Sequence, residues 1–166
     1  MKTLTLIRHA KSSWSDPTLR DHDRPLNKRG LRDAPFMANL LVEKGWQPDQ
    51  LVSSTALRAR TTAQYFAEAL GRQSTHVLQQ SRIYHAGTAL LQKVIHDLDN
   101  EWDSVALFGH NPGMTMLTNL FYKGDFLDNL PTCGIVEIVG ANVTDWAAFS
   151  GETADVRALH FPKQYF

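Results

Sequence analysis

The sequence has one cysteine, Cys133, so no disulfide framework can form within the chain, and that cysteine has no cysteine partner for a zinc site. It has no excess of either charge: Lys plus Arg and Asp plus Glu number 17 each. A nucleic-acid-binding protein ordinarily carries a basic excess or a basic stripe, and neither is present. A small anionic ligand needs only a local cluster and stays open. There is no long hydrophobic run. No stretch approaches the ~20 apolar residues of a membrane span, and Arg8 interrupts the N-terminal apolar segment before it could act as a signal peptide. Repeats, low-complexity tracts and linkers are missing as well. The expectation is one domain over residues 1–166, large enough to bury a core without disulfides or metal. It should be reduced, cytoplasmic and monomeric, without a nucleic-acid or membrane partner.

What is present is an alternation of buried strands and helices. Leu4–Ile7, Leu51–Val52, His76–Leu78 and Ser104–Phe108 read as strands. Between them the polar stretch Ser12–Arg24 reads as a loop. A helix starts near the N-cap residue Asn27, with Leu31, Ala34, Met37, Ala38 and Leu41 on one face. Pro35 is expected to kink that helix or force a restart. Further helices span Ala56–Leu70, Ala89–Leu98 (Leu90, Leu91, Val94, Ile95 and Leu98 inward) and Gly113 to about Tyr122. The period changes in the tail, where Ile135–Val139, Trp146–Phe149 and Val156–Phe161 alternate like antiparallel strands. The fold class is therefore α/β, a three-layer α/β/α sandwich with a mostly parallel central sheet and antiparallel C-terminal strands.

In such sheets ligands sit beyond the carboxyl ends of the strands, which directs attention to a few positions. Arg8 and His9 follow the first strand. Ser53, Ser54 and Thr55 follow the second, with Arg58 in the first helical turn. His110 and Asn111 follow the fourth. Helix N-termini and guanidinium forks both suit phosphate oxygens. Each residue alone has an ordinary reading as a solvated strand end or helix residue, and Arg60 equals Arg58 by periodicity. Their coincidence on one rim points to a phosphate pocket. His96 reads as a solvated helix residue. No histidines have metal-site spacing, so no metal and no cofactor is expected. A cysteine phosphatase would need an arginine six residues after its cysteine, where Val139 stands, and there is no G-x-x-x-x-G-K-[ST] loop. Histidine is the nucleophile that remains.

Three blocks then resemble the histidine phosphatase (phosphoglycerate mutase-like) superfamily. Arg8-His9-Ala10 is similar to its R-H-G triplet, with alanine in place of glycine. The longer R-H-A-K-S-S-W and D-H-D-R-P-L-N-K-R-G strings look like the SixA-type phosphohistidine phosphatase branch. Ser53–Ala63 is similar to S-P-x-x-R-A-x-Q-T-A, with Thr55 for the proline and Thr61 for the glutamine, and this selects Arg58 over Arg60. Gly109-His110-Asn111-Pro112 matches G-H-N-P. The resemblance implies a phosphoglycerate mutase-like fold and a two-step transfer. His9 attacks phosphorus, a phosphohistidine forms, and water hydrolyses it. Arg8, Arg58 and His110 would hold the equatorial oxygens, His110 best when protonated. Ser15 would stand where relatives carry a phosphate-contacting asparagine, and Trp14 would pack the loop beneath the phosphate or, alternatively, form a partner-facing surface.

Many relatives supply a leaving-group acid after the third strand, but Gln79–Ala86 contains no carboxylate. Tyr84, His85 and the Asp21–Asp23 loop remain as donors. An alkoxide leaves poorly without a proton donor, whereas a protonated imidazole leaves well. The expectation is a phosphatase of protein phosphohistidine, on a phosphotransfer domain or similar carrier. Alternatives are a small-molecule phosphomonoesterase and a non-catalytic phosphate-binding module.

Overall fold

In the computed structural model, which describes residues 1–166, the elements run β1 (Lys2–Arg8), α1 (Lys28–Glu43), β2 (Gln50–Ser53), α2 (Leu57–Ala69), β3 (Val77–Gln79), α3 (Thr88–His96), β4 (Ser104–Gly109), α4 (Gly113–Phe121), β5 (Ile135–Gly140) and β6 (Asp155–His160). The six strands form one sheet in the order β3-β2-β4-β1-β5-β6. The first four are mutually parallel, and β5 and β6 continue the sheet antiparallel.

The central pair β1 and β4 shows why an unbroken apolar run is needed. Successive side chains point to opposite faces of the sheet. Leu4, Leu6, Val105 and Leu107 enter a core with α3 and α4, while Ile7, Ala106 and Phe108 enter a second core with α1 and α2. Helices cover both faces, as expected for the α/β/α class. The register pairs Arg8 with Gly109 and Ser53 with Phe108, so β1, β2 and β4 end level with one another.

The loop after β1 is held back against the start of α1. Ser12 bridges to Leu26, and Ser13 N–H donates to Pro25 O at 2.8 Å. Asn27 caps α1 by accepting from Gly30 N–H at 2.9 Å. A Cβ on Gly30 would lie 2.2 Å from Lys11 O, so only glycine lets the helix approach this loop so closely.

Four expectations are corrected. Trp146–Phe149 is not a strand but a 3-10 turn over Trp146–Ala148, capped by Asp145 accepting from Ala147 N–H. Trp146 and Phe149 are both buried; three residues apart, they face the same side in a tight turn and opposite sides in a strand. Pro35 does not force a restart: α1 is continuous from Lys28 to Glu43 with the proline inside it. Pro35 and Leu31 lie away from the buried stripe of Ala34, Met37, Ala38 and Leu41, where losing one backbone bond costs least. Leu31 and Leu90 are accordingly exposed rather than inward, and α3 stops at His96. His96 is not simply solvated: its Nε2 meets Phe149 O at 3.0 Å, which ties α3 to the Trp146 turn. No helix is long and apolar enough to cross a membrane.

Candidate active site

The level ends of β1, β2 and β4 place Arg8, His9, Ser53, Ser54 and His110 together. His9 N–H donates to Gly109 O at 3.0 Å, continuing the β1–β4 ladder by one residue. Cys133 N–H reaches both Arg8 O and His9 O at 3.1 Å, so the segment before β5 fastens the same strand end. Arg8, His9, Arg58 and His110 line one cavity of about 310 Å³, with Lys11, Ser12, Asp21, Arg24, His85 and Asn111 also in its wall. A concavity of about 360 Å³ between Arg60 and Thr75 holds no histidine. The structure thus separates Arg58 from Arg60, which binds Thr55 O instead.

His9 is 7% exposed. Its Nδ1 lies 2.7 Å from Ala10 O. A carbonyl only accepts, so Nδ1 carries the proton and Nε2 bears the lone pair. Burial lowers the His9 pKa to about 3, against the opposing effect of the Ala10 bond, and the positive charges of Arg58, Arg8 and Arg24 lower it further. The ring is a neutral imidazole at physiological pH. Ala10 N–H is held in turn by Thr62 Oγ1 at 3.0 Å, and Thr62 donates to Arg58 O at 2.8 Å.

The His110 ring centroid is 5.1 Å from that of His9. Its Nε2 is 2.8 Å from Ser54 Oγ, while Nδ1 is buried and unpartnered. Burial, with His9 and Arg58 adding to it, lowers its pKa to about 3. With no anion beside it His110 is held neutral; the protonated form was expected with phosphate bound, and a phosphoryl dianion between the two rings would raise the pKa in that direction. Arg8 and Arg58 each have a buried Nε with no hydrogen-bond partner. Arg8 Nη1 donates to Leu130 O at 2.9 Å.

Sequence reasoning did not single out Arg24. It is 6% exposed, donating through Nη1 to Ser12 Oγ (2.8 Å) and through Nε to Asp21 Oδ1 (3.1 Å). The signal was its place between Asp21 and the buried anchor Leu26. Asp21 joins both arginines. Arg58 donates through Nη1 to Asp21 O (2.6 Å) and through Nη2 to Oδ2 (3.0 Å), and Tyr84 O–H donates to Oδ2 at 2.6 Å. Burial pushes the Asp21 carboxyl up, but the bonds from Tyr84, Arg58 and Arg24 outweigh it and hold it well below the usual carboxylate range. Burial and Asp21 together raise the Tyr84 phenol.

Two predicted neighbours of the phosphate lie elsewhere. Ser15 is exposed, is not part of the cavity wall, and pairs with Ser13 Oγ at 2.8 Å; the loop leaves it outside and presents Ser12 instead. Trp14 borders the cavity but does not pack beneath its loop. It is 72% exposed and stacks on the Arg24 guanidinium, 3.4 Å from ring centroid to Cζ. No group of three or more His, Cys, Asp or Glu side chains is arranged to hold a metal ion.

Comparison with known proteins identifies a family and a shared fold. Residues 4–89 match the family model of the histidine phosphatase superfamily (branch 1). Among curated relatives, an uncharacterized protein of Mycobacterium tuberculosis is 28% identical over 95% of this chain and 100% of its own length. An uncharacterized chloroplastic protein of Arabidopsis thaliana is 52% identical over 61 residues, 37% of this chain but 28% of that longer one. Among solved structures, SixA of Agrobacterium tumefaciens, a candidate phosphohistidine phosphatase, superposes with TM-score 0.80 at 28% identity, covering 97% of this chain and 98% of that one. The protein histidine phosphatase SixA complexed with tungstate gives TM-score 0.81 at 20% identity, covering 98% of each chain. A mycobacterial glucosyl-3-phosphoglycerate phosphatase shares the fold at TM-score 0.69 and 18% identity, over 96% and 97% of the two chains.

Proposed function

The chain belongs to the histidine phosphatase superfamily, and from that premise we propose that it hydrolyses protein phosphohistidine on a phosphotransfer domain or similar carrier. The observation that carries this reading is the His9 ring: neutral, with Nδ1–H given to Ala10 O and Nε2 left as an unprotonated nucleophile. In the first step Nε2 bonds to phosphorus and the substrate's N–P bond breaks. In the second, water attacks the phosphoryl group on His9, releasing inorganic phosphate and the free imidazole. The guanidinium groups of Arg8 and Arg58 and the ring of His110, all in the cavity wall, supply donors for the equatorial oxygens, where transition-state charge is spread.

The choice of a phosphoramidate rests on the carboxylates. Asp21 is the one carboxylate in the cavity wall, and its ion pairs keep it ionised. An alkoxide leaving group would find no carboxylic acid there, whereas an imidazole needs a weaker one. A small phosphomonoester is the second reading, supported by the glucosyl-3-phosphoglycerate phosphatase neighbour and by Lys11 in the wall, a further cation for a second anionic group.

The test is wild type against His9→Ala, given a phosphorylated phosphotransfer domain and a generic aryl phosphate. The expected result is an acid-labile phosphoryl label on wild type alone, with turnover falling by at least ~10³-fold in the variant. Faster turnover of the phosphorylated protein than of an alkyl phosphate supports the first reading, and equal rates support the second. No label and unchanged substrate would leave a phosphate-binding module.

A further inference from the structure

Departure of an imidazole from phosphorus is fast only when its nitrogen receives a proton. The candidates for that proton can be taken in turn. Asp21 is ionised. Tyr84 commits its hydroxyl hydrogen to Asp21 Oδ2 at 2.6 Å. His110 has its Nε2 engaged by Ser54 Oγ and its Nδ1 buried, and its ring is assigned to the equatorial oxygens. Lys11 and the arginines act as fixed cations. The remaining titratable side chain in the cavity wall is His85.

The backbone presents His85 deliberately. It lies between half-buried Tyr84 and buried Ala86, and of these three it alone is exposed. Its φ is +60°, in the left-handed region that a residue with a side chain seldom occupies and that tends to mark functional positions. The surroundings fix this conformation from both sides. The Tyr84 ring lies 3.9 Å from the His85 ring, centroid to centroid. The Ala86 carbonyl abuts the start of α4 so closely that a Cβ on Gly113 would come within 2.3 Å of it. The loop carrying His85 is thereby locked to the turn carrying His110. The charged and titratable groups sharing the cavity with His85 are Arg8, Lys11, Arg24, Arg58, Asp21, His9 and His110.

We propose that His85 is the general acid for the leaving nitrogen, and that a histidine in this place suits a phosphohistidine substrate in particular. As His9 Nε2 bonds to phosphorus and the N–P bond breaks, imidazolium His85 passes its proton to the departing imidazole. In the second step neutral His85 takes a proton from the attacking water, which returns the enzyme to its starting state with phosphate released. Donor and acceptor are both imidazole nitrogens, so a single hydrogen bond between the two rings can carry the proton to the departing nitrogen. This rests on the phosphatase reading above.

His85→Asn tests it, because asparagine accepts the left-handed backbone but cannot serve as the acid. The substrates are phosphohistidine, an alkyl phosphate and p-nitrophenyl phosphate, whose leaving group needs little proton assistance. The variant is expected to lose ~10²-fold in kcat on phosphohistidine, a loss at least tenfold greater than on the aryl ester. The alkaline limb of the phosphohistidine kcat/KM profile should disappear with it. His85→Gly, partly restored by added free imidazole, would supply independent support. Equal losses on all three substrates with an unchanged pH profile would overturn the proposal and leave His85 a structural residue. Failure of wild type to take the acid-labile label would instead overturn the phosphatase reading itself, so the two failures are distinct.

Discussion

Ala10 acts through its backbone alone: its carbonyl fixes the His9 tautomer, and its N–H is tied to Thr62 on α2. Its side chain is fully buried, and glycine would serve the same two bonds, which explains why the triplet tolerates alanine where relatives carry glycine. Thr62→Val should therefore damage catalysis from a position outside the cavity. It leaves Ala10 N–H without a partner, costing about 1–3 kcal/mol, and frees the peptide that aims His9. A tenfold to hundredfold fall in kcat with little change in KM is expected; Thr62→Ser should recover most of it, and steady-state kinetics with urea melts would check both. Arg8, His9 and His110 stood out in the sequence because strand ends are positions that periodicity locates, whereas Arg58 could not be told from Arg60 by periodicity and was selected by the family resemblance alone. Arg24 and Ser12 did not stand out. They lie in an aperiodic loop whose path is set by a bridge to Leu26 and by close contact with Gly30, neither of which leaves a pattern in the local sequence.

Among elements, β1 and β4 were readable because burial on both faces demands a continuous apolar run, and α2 because its buried stripe repeats at helical spacing. The Trp146 turn was misread because two aromatics separated by two alanines leave the local sequence compatible with either a strand or a tight turn. Only packing against Trp102 O and Asn100, accepting from Trp146 Nε1 and N–H, decides between them. The junction of the His85 loop with α4 gives an element-scale prediction. Gly113→Ala must move Ala86 or the helix start, with an overpacking cost of about 1–3 kcal/mol. A lower melting temperature and a loss of phosphatase turnover are expected together. Phe108→Ala, in the opposite core, should cost about 3–5 kcal/mol and reduce stability more than activity per folded molecule, as separate calorimetry and active-site titration would show.

At the scale of the whole molecule, pH dependence follows from two histidines buried neutral. His9 and His110 drop from the ordinary 6.5 to about 3 in the native state. Between those values the unfolded chain takes up protons that the native site refuses, so stability must fall as pH decreases from about 6.5 towards 3. The slope can reach about 2–3 kcal/mol per pH unit where both titrate. Asp21, depressed below the ordinary 3.8, acts in the same direction at the acid end. Urea midpoints recorded across pH 4–7 would show whether the decline steepens below 6.5, and His9→Gln should flatten it by about half. The formal charge of zero hides an uneven distribution. The cavity wall holds four fixed cations against one carboxylate, which leaves thirteen basic side chains against sixteen acidic ones over the remainder. The zero total thus conceals a local excess of three positive charges around the nucleophile. A phosphoryl anion diffusing towards His9 would meet that local field, whatever the zero total implies for the chain as a whole.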